Sequence, residues 1–177
     1  RPADTQETAV AWKHALLSQE APSALALTRQ TLKELPKSKA QNANINKGGY
    51  IVFGSSNKPD GIIIASGSEV SAALQAAMEL KDKDLDIRVI SMPCQEVYER
   101  QSTAYKNKCI PKNFDNILAV ESGKGQSWFK YIGKEGSMIT MESFGLSGTG
   151  NDVMRYFGFT VTNIKKQMQK LINRKNR

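Results

Sequence analysis

The chain has 177 residues, 40% apolar and 24% charged, enough for one ordinary domain with a packed core and part of a second. Two cysteines and one histidine exclude a disulfide framework and a Cys/His metal cluster, so a reducing, cytoplasmic setting is expected, and no apolar run is long enough to cross a bilayer. The net charge of +8 is concentrated after Val153, where seven basic residues meet no acid, while the rest holds 18 basic and 17 acidic residues; without interleaved aromatics, no nucleic-acid partner is expected.

The opening Arg1-Pro2-Ala3-Asp4 has neither an initiator Met nor a leader pattern and reads as a chain entered in the middle. Asp4 with Glu7 three positions later fits a capping pattern and predicts a helix to about Leu17, with Ala9, Trp12 and Leu16 along one face. Pro22 breaks the chain, and Ala24-Leu25-Ala26-Leu27 reads as a short buried strand ending at Thr28-Arg29-Gln30. Residues 31–47 are polar, with few apolar positions, and read as a linker. One helix and one strand bury no core by themselves, so Trp12, Leu25 and Leu27 are expected to be exposed.

From Gly48 the pattern changes to alternating strands and helices. Tyr50–Phe53 and Gly61–Ala65 are predicted strands joined by a turn over residues 55–60. Ser68 is placed to cap a helix with Val70, Ala73, Leu74, Ala77 and Leu80 on one side. Further strands are predicted at Ile87–Ile90, Asn116–Val120 and Ser137–Met141, and a closing helix at Thr160–Asn173 with Val161, Ile164, Met168, Leu171 and Ile172 as its stripe. This order predicts a three-layer α/β/α domain with a mostly parallel, mixed five-stranded sheet, preceded by the remnant of a second α/β domain; the short turn after the first strand points to one antiparallel strand.

Few residues invite chemistry. His14, beside Trp12 and Leu16 with no partner carboxylate in sequence, reads as a packing or surface residue. Cys94 and Cys109 have no neighbouring pattern that lowers a thiol pKa and read as packed thiols. Ser66-Gly67-Ser68-Glu69 lies between strand and helix where anions bind, yet lacks a phosphate-loop signature, and Glu69 already supplies negative charge to that helix start. The runs from Glu121 to Gly125 and from Phe144 to Gly148 read as turn loops. Arg29, at the end of the predicted strand, carries a fork suited to phosphate, although a structural ion pair would use it equally well.

Six blocks carry a resemblance: Arg1-Pro2-Ala3-Asp4 with Glu7, Leu27-Thr28-Arg29-Gln30, Gly48-Gly49-Tyr50, Ala65-Ser66-Gly67-Ser68-Glu69-Val70, Arg88-Val89-Ile90-Ser91-Met92-Pro93 and Phe157-Gly158-Phe159-Thr160. In this order and spacing they resemble the carboxyl-terminal quarter of the transketolase family. Dihydroxyacetone synthase fits the same blocks, whereas deoxyxylulose-phosphate synthase is expected to differ at Thr28-Arg29-Gln30. The resemblance implies that residues 1–47 are the tail of a pyrimidine-binding domain with its linker, and residues 48–177 a complete carboxyl-terminal domain. It implies transfer of a two-carbon ketol unit from a ketose phosphate to an aldose phosphate in a cytoplasmic homodimer of the pentose phosphate pathway, using thiamine diphosphate and a divalent metal (Mg or Ca). Arg29 matches the family's substrate-phosphate Arg and is the one site residue carried over. The family's catalytic Glu, active-site histidines and cofactor-binding motif have no counterpart here, so no catalytic, cofactor or metal residue is expected in this chain, and the isolated chain is expected to be inactive. Its remaining role would be dimer contact and assembly with the rest of the polypeptide. The alternative is a free-standing ligand-binding or interaction domain of the same fold, with an anion at the Gly67-Ser68 helix start.

Overall fold

The computed structural model describes residues 1–54 and 57–174. Its strands are β1 (Tyr50–Phe53), β2 (Gly61–Ala65), β3 (Ile87–Ser91), β4 (Ile117–Glu121) and β5 (Ser137–Thr140). Its helices are α1 (Thr5–Leu17), α2 (Lys39–Asn44), α3 (Glu69–Lys81), α4 (Gln95–Glu99), α5 (Thr103–Cys109), α6 (Phe129–Ile132), α7 (Gly150–Tyr156) and α8 (Val161–Arg174). The sheet order is β1-β3-β2-β4-β5, with β2 to β5 parallel and β1 antiparallel to β3. The expected antiparallel strand therefore exists, but it pairs with β3 because both edges of β2 are taken by β3 and β4. Part of the β1–β2 turn, Ser55 and Ser56, and the basic residues Lys175 and Arg177 lie outside the described residues.

Ile62, Ile63 and Ile64 of the central strand are all fully buried, as a strand covered on both faces requires. Ile63 meets α3 and α8 through Val70, Ala73, Leu80, Ile164 and Met168, while Ile62 and Ile64 meet Tyr98, Cys109, Trp128 and Ile132 on the opposite face. These are the three layers expected from the alternation of elements. Helix α8 lies against α3, and its Lys165 pairs with Glu79 of that helix, so the terminal basicity decorates a packed helix. No helix among the described residues is long and apolar enough to cross a membrane.

The first 47 residues depart most from expectation. Residues 24–27 form no strand, and Leu27 is exposed, because among the described residues no neighbouring strand offers its backbone a ladder. The expected linker contains α2, started by a capping box between Ser38 and Gln41. Gln41 Nε2 also donates to the carbonyls of Ile51 (3.3 Å) and Val52 (2.8 Å), and so covers the free edge of β1. Leu35 and Ile45 are buried, and Lys37 forms a buried ion pair with Asp4. The stretch is a strap held to the domain by a few well-spaced anchors. In α1 Trp12 and Leu16 face solvent, as expected for Trp12, whereas Glu7 is buried and Val10 packs on the core.

Beneath the sheet, Glu99 at the end of α4 pairs with Lys106 (3.0 Å) and Lys130 (3.2 Å). Burial pushes its carboxyl up, but the Tyr131 hydroxyl and the two ammonium groups outweigh this and hold it down to about 2. A lowered carboxyl stabilises the fold above its unfolded value of 4.5, and that contribution fades as pH falls from there toward 2. With the side chain 38% exposed, solvent screening keeps it small. Glu99→Gln is therefore expected to lower the urea midpoint near neutral pH, with the difference from the parent chain shrinking as pH falls toward 2, where the carboxylate takes up its proton.

Candidate functional site

Parallel open sheets bind ligands outside the carboxyl ends of their strands, at the point where the chain switches direction across the sheet. Here the chain runs from β2 outward to β3 and then crosses to β4, which places the switch between β2 and β4. That edge is covered by the chain's own residues 1–7. The Gly67 amide donates to the Arg1 carbonyl at 3.0 Å, and the Arg1 backbone nitrogen donates to the Pro93 carbonyl at 2.8 Å, so the segment crosses the ends of β2 and β3.

Four carboxylates anchor it. Asp4 caps α1 by accepting from the Glu7 amide at 2.9 Å, as its position predicts. Glu7 does not close a capping box; it turns inward and accepts from Tyr50 Oη, Ser91 Oγ and the Ala3 amide, each at 2.7 Å. Burial first, then the Glu7 carboxylate, pushes the Tyr50 hydroxyl far above its ordinary value, so it stays a donor at any physiological pH. Glu69 is fully buried; its Oε2 accepts from the Ser122 amide at 3.1 Å and lies 3.0 Å from Arg1 Nη2. Glu121, at the end of β4, pairs with Arg1 Nη1 and accepts from Ser66 Oγ at 2.7 Å.

Four of the six sequence blocks, all except those of Thr28-Arg29-Gln30 and Phe157–Thr160, are thus brought to one sheet edge together with Glu121 of β4: Arg1 and Glu7, Tyr50, Ser66 to Glu69, and Ser91 and Pro93. Sequence reasoning missed Arg1, Glu7 and Glu121 as a cluster, because only the strand order reveals that β2 and β4 are neighbours. Ser68 does not cap α3; its Oγ donates to Glu69 Oε1 at 2.5 Å. The expected anion position at the Gly67-Ser68 helix start is therefore filled by the protein's own carboxylate and guanidinium.

Arg29 stands apart from this cluster. It occupies an exposed bend in which the Gln30 amide donates to Thr28 Oγ1 at 3.1 Å, and among the described residues it forms no hydrogen bond or ion pair. The Gln30 side-chain amide lies where a side chain on Gly150 at the start of α7 would begin. His14 is exposed beside a largely apolar cavity of about 110 Å³ that Cys94, Val97 and Leu25 also line. Burial pushes the Cys94 and Cys109 thiols up, in keeping with packed, unreactive thiols.

No group of three or more metal-ligating side chains exists among the described residues. The buried carboxylates Glu7, Glu69 and Glu121 are already committed to internal donors. The residues present do not fit a diphosphate cofactor or its metal.

The Transketolase-like TK C-terminal domain family matches residues 48–160. The transketolase of Bacillus subtilis (strain 168) is 42% identical over 176 residues, covering 98% of this chain and 26% of that protein. Transketolase 1 of Vibrio vulnificus (strain YJ016) is 41% identical over 172 residues, 97% of this chain and 26% of the relative. A crystal structure of the Pichia stipitis transketolase in complex with sedoheptulose 7-phosphate superposes with a TM-score of 0.89 at 35% identity, over 99% of this chain and 25% of that one. The chain spans about a quarter of the length of the relatives it matches. With this sheet, this order and these matches, the chain belongs to the transketolase family and carries its carboxyl-terminal domain.

Proposed function

We propose that this chain works as the carboxyl-terminal part of a thiamine diphosphate-dependent transketolase that moves a two-carbon ketol unit between sugar phosphates. Residues 48–177 are then the carboxyl-terminal domain, residues 1–47 are the tail of the preceding domain, and Arg29 takes the substrate phosphate. The observation that carries this reading is the Thr28–Gln30 bend. Its guanidinium is exposed and without intramolecular partners among the described residues, while the Gln30 side chain lies against Gly150. A planar fork left free in this way suits a phosphate arriving from solvent.

Thiamine diphosphate and its metal would be held by the remainder of the polypeptide, which also supplies the catalytic groups. The exposed Trp12, Leu16 and Leu27 give the amino-terminal segment an apolar surface suited to that remainder or to a second subunit. The isolated chain, given cofactor, metal and sugar phosphates, should form no product in a coupled transfer assay. The free-standing ligand-binding alternative is weakened by the filled crevice between β2 and β4, where such a fold would bind its ligand.

In the complete transketolase polypeptide, Arg29→Ala should lower kcat/KM for a ketose phosphate donor by roughly 1.5–3 kcal/mol, the worth of a charged hydrogen bond. A donor ketose without the phosphate should be converted almost as before. Equal losses for both donors, or none for either, would remove Arg29 from the phosphate site.

A further inference from the structure

We infer that the crevice between β2 and β4 is a guanidinium socket whose resident is Arg1, and that this socket fixes the amino-terminal segment on the sheet. The socket is built from both sides of the switch point. Arg1 Nη1 faces Glu121 and Ser66 Oγ (3.3 Å), and Nη2 faces Glu69 (3.0 Å) and Ser122 Oγ (2.8 Å). Each terminal nitrogen thus meets one carboxylate and one hydroxyl, a planar two-pronged arrangement that an ammonium group cannot reproduce.

Its walls are set by the protein's own bonds. Ser66 Oγ donates to Glu121 at 2.7 Å, the Ser122 amide donates to Glu69 at 3.1 Å, and Ser68 Oγ donates to the other Glu69 oxygen at 2.5 Å. Both carboxylates are therefore oriented by groups of the domain itself and are not merely drawn toward the cation. Gly67 leaves the floor open: a Cβ there would lie 3.2 Å from Arg1 Nη2. Glu69 is fully buried and Glu121 nearly so, and Arg1 is the cation that pairs with both. With Arg1 truncated, two buried carboxylates would face an empty crevice, a strongly unfavourable arrangement that favours capture of a replacement cation.

Arg1 is thus a positioning residue. It holds residues 1–7, and with them α1, in place over the carboxyl edge. This inference is independent of the ketol-transfer reading, since it concerns attachment of the segment and its test requires no catalysis.

The experiment is hydrogen exchange on the 177-residue chain and on Arg1→Ala. In the variant, amide exchange in α1 should accelerate at least about tenfold while β2 and β4 stay protected. Low-millimolar methylguanidinium should bind the variant measurably and not the parent chain, whose socket is filled, while α1 exchange stays fast because a free cation is not tied to the segment. Unchanged α1 exchange would overturn the inference, as would equally tight binding of methylammonium to the variant, which would reduce the crevice to a generic cation attractor. Should Arg1→Ala fail to fold, Arg1→Lys decides. It keeps one charge but loses the fork, so α1 should exchange faster than in the parent chain, and parent-like exchange would overturn the inference.

Discussion

Glu7→Ala should destabilise the fold by about 3–5 kcal/mol, read from urea midpoints, with most of the loss at the seam between α1 and the sheet. Its carboxylate accepts from Tyr50 Oη, Ser91 Oγ and the Ala3 amide, and all three donors are buried. Truncation leaves each of them unsatisfied, at about 1–3 kcal/mol apiece, and the total falls short of the sum because the three share one acceptor and relax together. Glu7→Gln separates charge from hydrogen bonding. With its amide oxygen kept toward the Ala3 amide, its NH₂ faces the Tyr50 and Ser91 hydroxyls, both of which can turn to accept, so the loss should be about half or less. If Glu7→Ala cost less than about 1 kcal/mol, the carboxylate would not be the main anchor of the segment.

Gly48→Ala should cost about 2–5 kcal/mol and loosen the start of α4. Gly48 has a φ of 76°, which costs an L residue about 1–2 kcal/mol. A Cβ there would also lie 2.5 Å from the Cys94 carbonyl oxygen and 2.6 Å from the Tyr98 amide nitrogen, both backbone atoms that cannot swing aside. Gly133 has a φ of 64° and a ψ of −158°, a region only glycine adopts with ease, and nothing lies within 4 Å of its added Cβ. Gly133→Ala should therefore lose stability through its backbone alone, whereas Gly48→Ala adds the close approach of α4. A loss at Gly48 no larger than the roughly 1–2 kcal/mol conformational penalty would mean that α4 shifts freely. Denaturation midpoints of the two variants against the parent settle the comparison.

The two substitutions act on one construction. Gly48 lets the strap after α2 turn beneath α4 into β1, and β1 begins with the Tyr50 whose hydroxyl holds Glu7. Arg1 then fastens the front of the same segment to β2 and β4. The amino-terminal 47 residues are therefore tied to the domain by buried polar bonds as well as by apolar anchors such as Leu35 and Ile45. Hydropathy patterns do not record the polar bonds.

That accounts for what could be read in advance. The sequence by itself determined the five strands to within a residue or two, because runs such as Ile62-Ile63-Ile64 stay buried whichever neighbour covers them. It determined α3 and α8 from their apolar stripes, α1 from the Asp4 cap, and the family from the order of its blocks. Tertiary structure alone decided the rest. Strand order put Glu69 and Glu121 on either side of one crevice although they are far apart along the chain. It aimed a carboxylate of α1, Glu7, into the core beside Tyr50 and Ser91. It also left residues 24–27 without a ladder, since a strand is defined by the neighbour that receives its hydrogen bonds. Local patterns report what each segment can bury, whereas pairing, register and buried polar partners depend on which distant segments arrive beside it.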